Sequence, residues 1–197
     1  MNEDVVLALP ASVHSVRAMR STLVQASIES VRRRGRFDDY ERALPAAHKE
    51  ALLHAVAGTW ISLESAKAHY AACDSLKLSS DQQVLAGRST FDGARSTLLG
   101  TAVGLARGAG VTPWQVLPLL QRMWDRGCDG GGIVVVRTGP KDAHIDVVQC
   151  ELFAYAHMRN GLRGLVAAIM ELFCTRAYVT ERRPCGAASV YYRVQWA

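Results

Sequence analysis

The stretch from Ile133 to Trp196 constrains the fold more than any other part of the chain. IVVVR (Ile133 to Arg137) runs into the turn residues Thr138, Gly139 and Pro140, and AHIDVVQ (Ala143 to Gln149) follows. In that second segment Ala143, Ile145 and Val147 fall on one face and His144 and Asp146 on the other, the period-2 pattern of a half-buried strand. TRAYVTER and SVYYRVQW repeat the design around Pro184, Cys185 and Gly186. Between the two hairpins lies a helical stripe of Met158, Leu162, Leu165, Val166, Ile169, Met170 and Phe173. Two hairpins around a helix predict an antiparallel sheet of about four strands with helices packed on it, an α+β fold.

The chain of 197 residues, 49% of them hydrophobic, is long enough for one domain with a real core. No apolar run approaches the roughly 20 residues a membrane span needs. The opening MNEDVVLALP places Glu3 and Asp4 where a signal peptide would carry basic residues, so a cytoplasmic protein is expected. Five cysteines, an odd number without a C-x-x-C pair, fit free thiols in a reducing compartment. Much of the net charge of +5 sits in Arg32, Arg33, Arg34 and Arg36. Such a run either binds a polyanion or complements a helix C-terminus. Without interleaved aromatics or a nucleic-acid motif, the helix reading is preferred.

Ahead of the hairpins the spacing predicts helices. Ser12 is a candidate N-cap for Val13, Val16, Leu23, Val24, Ile28 and Val31, with Gly35 as the C′ residue. Residues 1–40 are therefore read as an N-terminal helical extension, and 41–197 as the α+β domain. The apolar stripe of that extension predicts a homodimer. Phe37, Asp38 and Asp39 break the pattern, and Pro45 opens a second helix. A third stripe runs from Trp60 to about Leu78 through Ala66, Tyr70 and Cys73. Ser79 and Gln82 form a capping box opening a long helix with Val84, Phe91 and Leu98, rich in Gly93, Ala94, Gly100, Gly104 and Gly108. Interior helical glycines cost about 1 kcal/mol against alanine, so this face is expected to meet another helix or a ligand closely. Thr112 and Pro113 cap a helix carrying Trp114, Leu117, Leu120 and Trp124, bent at Pro118, and Gly130-Gly131-Gly132 release the chain into the first hairpin.

Motifs of catalysis are missing: no G-x-S-x-G elbow, no H-E-x-x-H, no P-loop. The six histidines are scattered; His54 and His69 are placed so that adjacent helices can bring them near each other, but without a carboxylate or thiol nearby no metal site is expected there.

The order of elements, with YVTERRPCGAASVYYRVQW (Tyr178 to Trp196) after the small-residue helix RNGLRGLVAAIMELF (Arg159 to Phe173), resembles the superfamily that joins 4-vinyl reductase domains, haem nitric-oxide-binding domains and TRAPP trafficking subunits. From about Trp60 onward the chain is also similar to an uncharacterised family best known from myxobacteria, with GPKDAHIDV as its hairpin. Vinyl-reductase relatives include sensors of aromatic hydrocarbons, and several hold structural zinc through three Cys and a Glu. Glu181 and Cys185 match two of those positions; the others fall near Met158 and near Tyr191 or Tyr192, with Cys150 and Cys174 not far off. With a ligand missing, the resemblance implies no metal here. The Tyr-x-Ser-x-Arg clamp of the haem relatives is absent, so no haem or other cofactor is expected either.

These readings converge on a non-catalytic ligand-binding or sensory module for a small hydrophobic molecule, with no membrane or nucleic-acid partner. Its pocket is expected between the Gly-rich helix and the sheet, walled by Phe91, Gly100, Gly104, Trp114, Trp124, Phe153 and Met170. The alternatives are a scaffold of the TRAPP-subunit type, favoured by a filled core, and an enzyme acting on a hydrophobic molecule, favoured by an unsatisfied buried polar group inside the cavity.

Overall fold

The structure is a computed structural model describing residues 4–95, 110–182 and 186–197, for 91–95 the backbone alone. The Phe91 side chain, Gly100, Gly104 and Cys185 therefore lie outside the described residues.

Five antiparallel strands form the main sheet in the order β1 (Asp4–Leu7), β5 (Gly132–Gly139), β6 (Asp142–Val148), β8 (Val190–Trp196), β7 (Ala177–Glu181). The hairpins fall where the alternation places them. Ile133 pairs with Val147, Val135 with Ile145, and Ile145 in turn with Tyr192. One face is closed: Val135, Ala143, Ile145, Val190, Tyr192 and Val194 are fully buried. On the other, Arg182 grips Asp146 at 2.7 and 3.0 Å, and Arg193 reaches Asp142. The fifth strand, β1, is an addition to the expected four; DVVL is too short to announce itself and acquires its partner, β5, from far along the chain.

Helices cover the closed face. They are α1 (Ser21–Arg33), α2 (Phe37–Ala43), α3 (Ala46–Leu53), α4 (Leu63–Ser75), α5 (Ser80–Arg95), a broken helix made of α6 (Pro113–Val116), a 3-10 turn (Leu117–Leu119) and α7 (Leu120–Gly127), and α8 (Ala156–Met170). The capping box of α5 is present, with Ser79 N–H donating to Gln82 Oε1 at 2.9 Å and Gln82 N–H to Ser79 Oγ at 3.3 Å. Thr112 and Gln115 form a second one ahead of Pro113, and the break in the helix falls at Pro118. Tyr192 Oη donates to the Arg159 carbonyl at 2.7 Å and so ties α8 to the sheet.

Four expectations change. Residues 13–20 are not helical: Val16 N–H donates to the Gln149 carbonyl and Arg17 N–H to that of Asp129, which holds the segment extended. It continues as β2 (Ala18–Arg20), the centre of a small sheet between β3 (Trp60–Ser62) and β4 (Cys128–Asp129). Trp60 accordingly opens a strand, 44% exposed, and Phe37 to Asp39 begin a helix of their own. Lastly, the segment read as an extension over 1–40 is built into the core. Val24, Ile28 and Val31 are at most 1% exposed, so the stripe expected to seek a second copy is spent inside the chain.

The arginine run at the C-terminal end of α1 is engaged within the fold at Arg32, Arg34 and Arg36. Arg32 lies over the Phe37 ring at 4.3 Å, Arg34 donates to the Gln82 carbonyl at 3.2 Å, and Arg36 donates to Asp39 at 2.8 Å.

Candidate functional site: an apolar cavity under the sheet

Two glycines let α5 and α8 pack backbone to backbone. A β-carbon on Gly87 would collide with the Gly161 carbonyl, and one on Gly164 with that of Val84. The small-residue face expected at Gly100 and Gly104 lies outside the described residues; it is Gly87 and Gly164 that bring α5 and α8 together. The salt bridge from Arg88 to Glu171, at 2.6 and 3.1 Å, braces the far end of this contact.

Between this helix pair and the sheet lies a cavity of about 360 Å³. Ile133, Ile145 and Val147 form its floor, and Met158, Leu162 and Val166 of α8 one wall. Met19, Leu23 and Ser27 close it from the N-terminal side, Tyr70 from α4, and Trp124 and Cys128 from α7 and β4. Met123, 39% exposed, and Arg126 mark its rim. A volume above about 300 Å³ with a largely apolar lining is that of a small-molecule site.

Four expected site residues are described throughout. Trp124 is in the wall, held by its Nε1–H donating to the Gly130 carbonyl at 2.7 Å. Phe153 and Met170, both fully buried, are core residues outside the cavity, and Phe153 backs Trp124 with ring centroids 6.1 Å apart. Trp114 is elsewhere: it donates to the Pro140 carbonyl at 2.8 Å, meets Trp196 edge-on at 4.8 Å and carries Arg137 over its ring.

The polar part of the wall was not singled out from the sequence. His157 heads α8, where the Asp74 carboxylate accepts from the backbone N–H of Ala156 (2.9 Å) and of His157 (2.7 Å), a capping carboxylate supplied by another helix. Its Nε2 lies 3.4 Å from Ser27 Oγ, and its Nδ1 is enclosed without a partner. Burial lowers the His157 pKa to about 4, Asp74 opposing and Arg34 adding to the shift, so the ring is neutral at pH 7. His69 is neutral as well, lowered to about 3 by burial and then by His157. It bonds to Tyr40 and Ser27 and is fully buried, whereas His54 is exposed, so the two histidines are not paired. Burial raises the Tyr70 hydroxyl and the Cys128 thiol well above their ordinary values, which leaves both protonated.

Residues 15–197 match the profile of a family described as "Protein of unknown function (DUF2378)". The chain is a DUF2378 protein. No curated protein matches it. Its fold is that of H-NOX domains. The Fe(II) unliganded H-NOX protein from K. algicida superposes with a TM-score of 0.60 at 11% identity, over 91% of this chain and 97% of that one. An oxygen-binding H-NOX domain related to soluble guanylate cyclases gives 0.56 at 12%, over 90% and 95%. A mutant H-NOX of T. Tengcongensis gives 0.56 at 12%, over 90% and 97%.

Haem does not fit the DUF2378 cavity as its described residues stand. The group needs an axial ligand and counter-charges for two propionates. Among the described residues of the wall the candidate axial ligands are His157, whose Nδ1 is enclosed, and Tyr70 and Cys128, which burial holds protonated; Arg126 is the one cation there, and the Tyr-x-Ser-x-Arg clamp is missing from the whole sequence. Nor do the described residues contain a cluster of three metal-ligating side chains. None of the described helices is long and apolar enough to cross a membrane.

Proposed function

We propose that this DUF2378 protein is a non-catalytic, sensory binding module that takes up a small hydrophobic molecule in the cavity between α5, α8 and the sheet. The observation that carries this reading is the cavity itself: about 360 Å³ of space under the sheet, where a scaffold would have a filled core. Likeness of fold to haem-binding sensors supports the use of this architecture around a ligand, while the wall argues for a different ligand.

An enzyme is the second reading, favoured by the unsatisfied His157 Nδ1. The chemistry available to it is poor. An imidazole with a pKa of about 4 is a weak base at pH 7, and its neighbours Tyr70 and Cys128 are held protonated, away from nucleophilic use.

Naphthalene tests the proposal. It should raise the melting temperature in a saturable way, since a ligand at 100 times its Kd adds about 2.7 kcal/mol to stability. Gly161 lines the cavity, and a β-carbon there meets nothing within 4 Å. Gly161→Leu should therefore fill the space, keep the fold and abolish the shift. A parent protein that shows no shift with naphthalene, and no retained small molecule by native mass spectrometry, would sink the reading.

A further inference from the structure

The cavity opens to solvent on one side. Thr22, Met123 and Arg126 are the exposed residues among its described lining, and the others are buried or half-buried. Its mouth therefore lies between α1 and α7. Polarity changes on the way in. The floor and the deep wall are mostly aliphatic and aromatic, whereas two of the three residues at the mouth, Thr22 and Arg126, carry polar groups. No Asp or Glu is among the described lining residues, and Arg126 is the charged one.

The charge of Arg126 is not spent inside the fold. Asp125 and Asp129, its nearest acids in sequence, are engaged elsewhere: Asp125 accepts from Gln121 at 2.7 Å, and Asp129 from Arg17 at 3.3 Å. Arg122, four residues earlier and exposed as well, is a neighbour on the helix surface that repels Arg126 instead of pairing with it. Neither arginine has a hydrogen bond or an ion pair among the described residues. Arg126 stands in the last turn of α7, where a cation complements the macrodipole. That role does not require a place in the lining of an apolar cavity.

We infer that the ligand of the cavity is an amphipathic monoanion, an organic acid whose apolar body fills the cavity and whose carboxylate stays at the mouth and pairs with Arg126. The inference rests on the cavity reading above. At the mouth the carboxylate keeps water on its outer side, so no bare charge is buried. The guanidinium fork matches its two oxygens.

Naphthoate and naphthamide share an outline and differ in charge at pH 7. Titrated into the full chain at low ionic strength, naphthoate should bind about fivefold more tightly, the ratio that a partly exposed ion pair commands, and added salt should shrink that advantage. Arg126→Gln should bring the ratio to about one, and Arg126→Lys should restore most of it. Gly161→Leu, which fills the cavity, should abolish binding of both probes. Equal affinity in the parent protein, a ratio that survives Arg126→Gln, or naphthoate that still binds the Gly161→Leu variant overturns the inference while the cavity reading stands. If Arg126 serves α7 alone, Arg126→Gln lowers the melting temperature and leaves the ratio untouched, the second of those outcomes. Naphthalene that binds where both polar probes fail overturns this inference alone. Failure of all three probes overturns the cavity reading with it.

Discussion

A β-carbon on Gly87 would stand 2.8 Å from the α-carbon of Gly161 and closer still to its carbonyl. The two helices meet through the absence of side chains, and backbone cannot swing aside as a side chain can. Gly87→Ala should therefore cost roughly 1–3 kcal/mol by urea unfolding, and Gly164→Ala a similar amount. Gly161→Ala should have the opposite sign, with a gain of up to about 1 kcal/mol, because its added methyl faces open space in a helix. If all three variants gain stability, the close packing of α5 on α8 is wrong.

Stability should fall as the solution is acidified from pH 6.5 toward 5. Burial holds His69 and His157 at about 3 and 4, and His144 is lowered in the same direction, first by burial and then by Arg182. In this window the unfolded chain binds protons that the folded chain refuses, so stability is complete above the ordinary histidine value and is lost on going down. Each fully neutral histidine adds a slope of about 1.4 kcal/mol per pH unit. Urea midpoints that stay level between pH 7 and 5 would show that these rings accept protons in the fold.

Glu171 contributes at lower pH. Burial pushes its carboxyl up, but the Arg88 guanidinium and the Ala177 N–H outweigh that and hold it below the ordinary carboxylate value. The pair's stabilisation is therefore present above that value and disappears as pH drops through the lowered one. Arg88→Leu should cost about 1 kcal/mol at pH 7, discounted for partial exposure, and nothing once Glu171 is protonated. A cost that persists unchanged into acid would assign the loss to packing instead of charge.

Cys73, Cys128 and Cys150 are buried, and burial is the leading cause that raises each thiol, Cys150 to about 12. Native protein at pH 8 should leave all three unmodified by iodoacetamide over hours, and all three should label once it is unfolded in urea. Rapid labelling of Cys128 in native protein would reveal solvent traffic through the cavity, and a ligand should then slow it.

The sheet was legible because strict alternation from Ala143 to Val147 states both the element and its buried face. What sequence could not supply was partnership. Val13 and Val16 keep helical spacing with Val24, yet carbonyls more than a hundred residues away hold that stretch extended. Trp124 was readable as one of an apolar stripe. His157 was not, since a lone histidine at a helix start says nothing until Ser27 and His69 are brought beside it. A signal did exist: Ser27 and Ser30 interrupt the buried stripe of α1, and His69 stands in that of α4 between Ala66 and Tyr70. Polar residues at core positions need partners: Ser27 meets His69 and His157, and Ser30 meets Ser89.

The strand order also sets a timetable for synthesis. β8 sits inside the sheet, between β6 and β7, although it follows both in the chain. While the ribosome is still reading the codons of Val190 to Trp196, β7 has no neighbour to join and the exposed edge of β6 is open. β1, made first, waits for β5 through more than a hundred residues. Such long-range pairing folds slowly and leaves bare strand edges in the nascent chain, the condition under which chaperones are recruited. The cavity floor, which belongs to β5 and β6, thus lacks its neighbour on the β6 side until Val190 to Trp196 have been made.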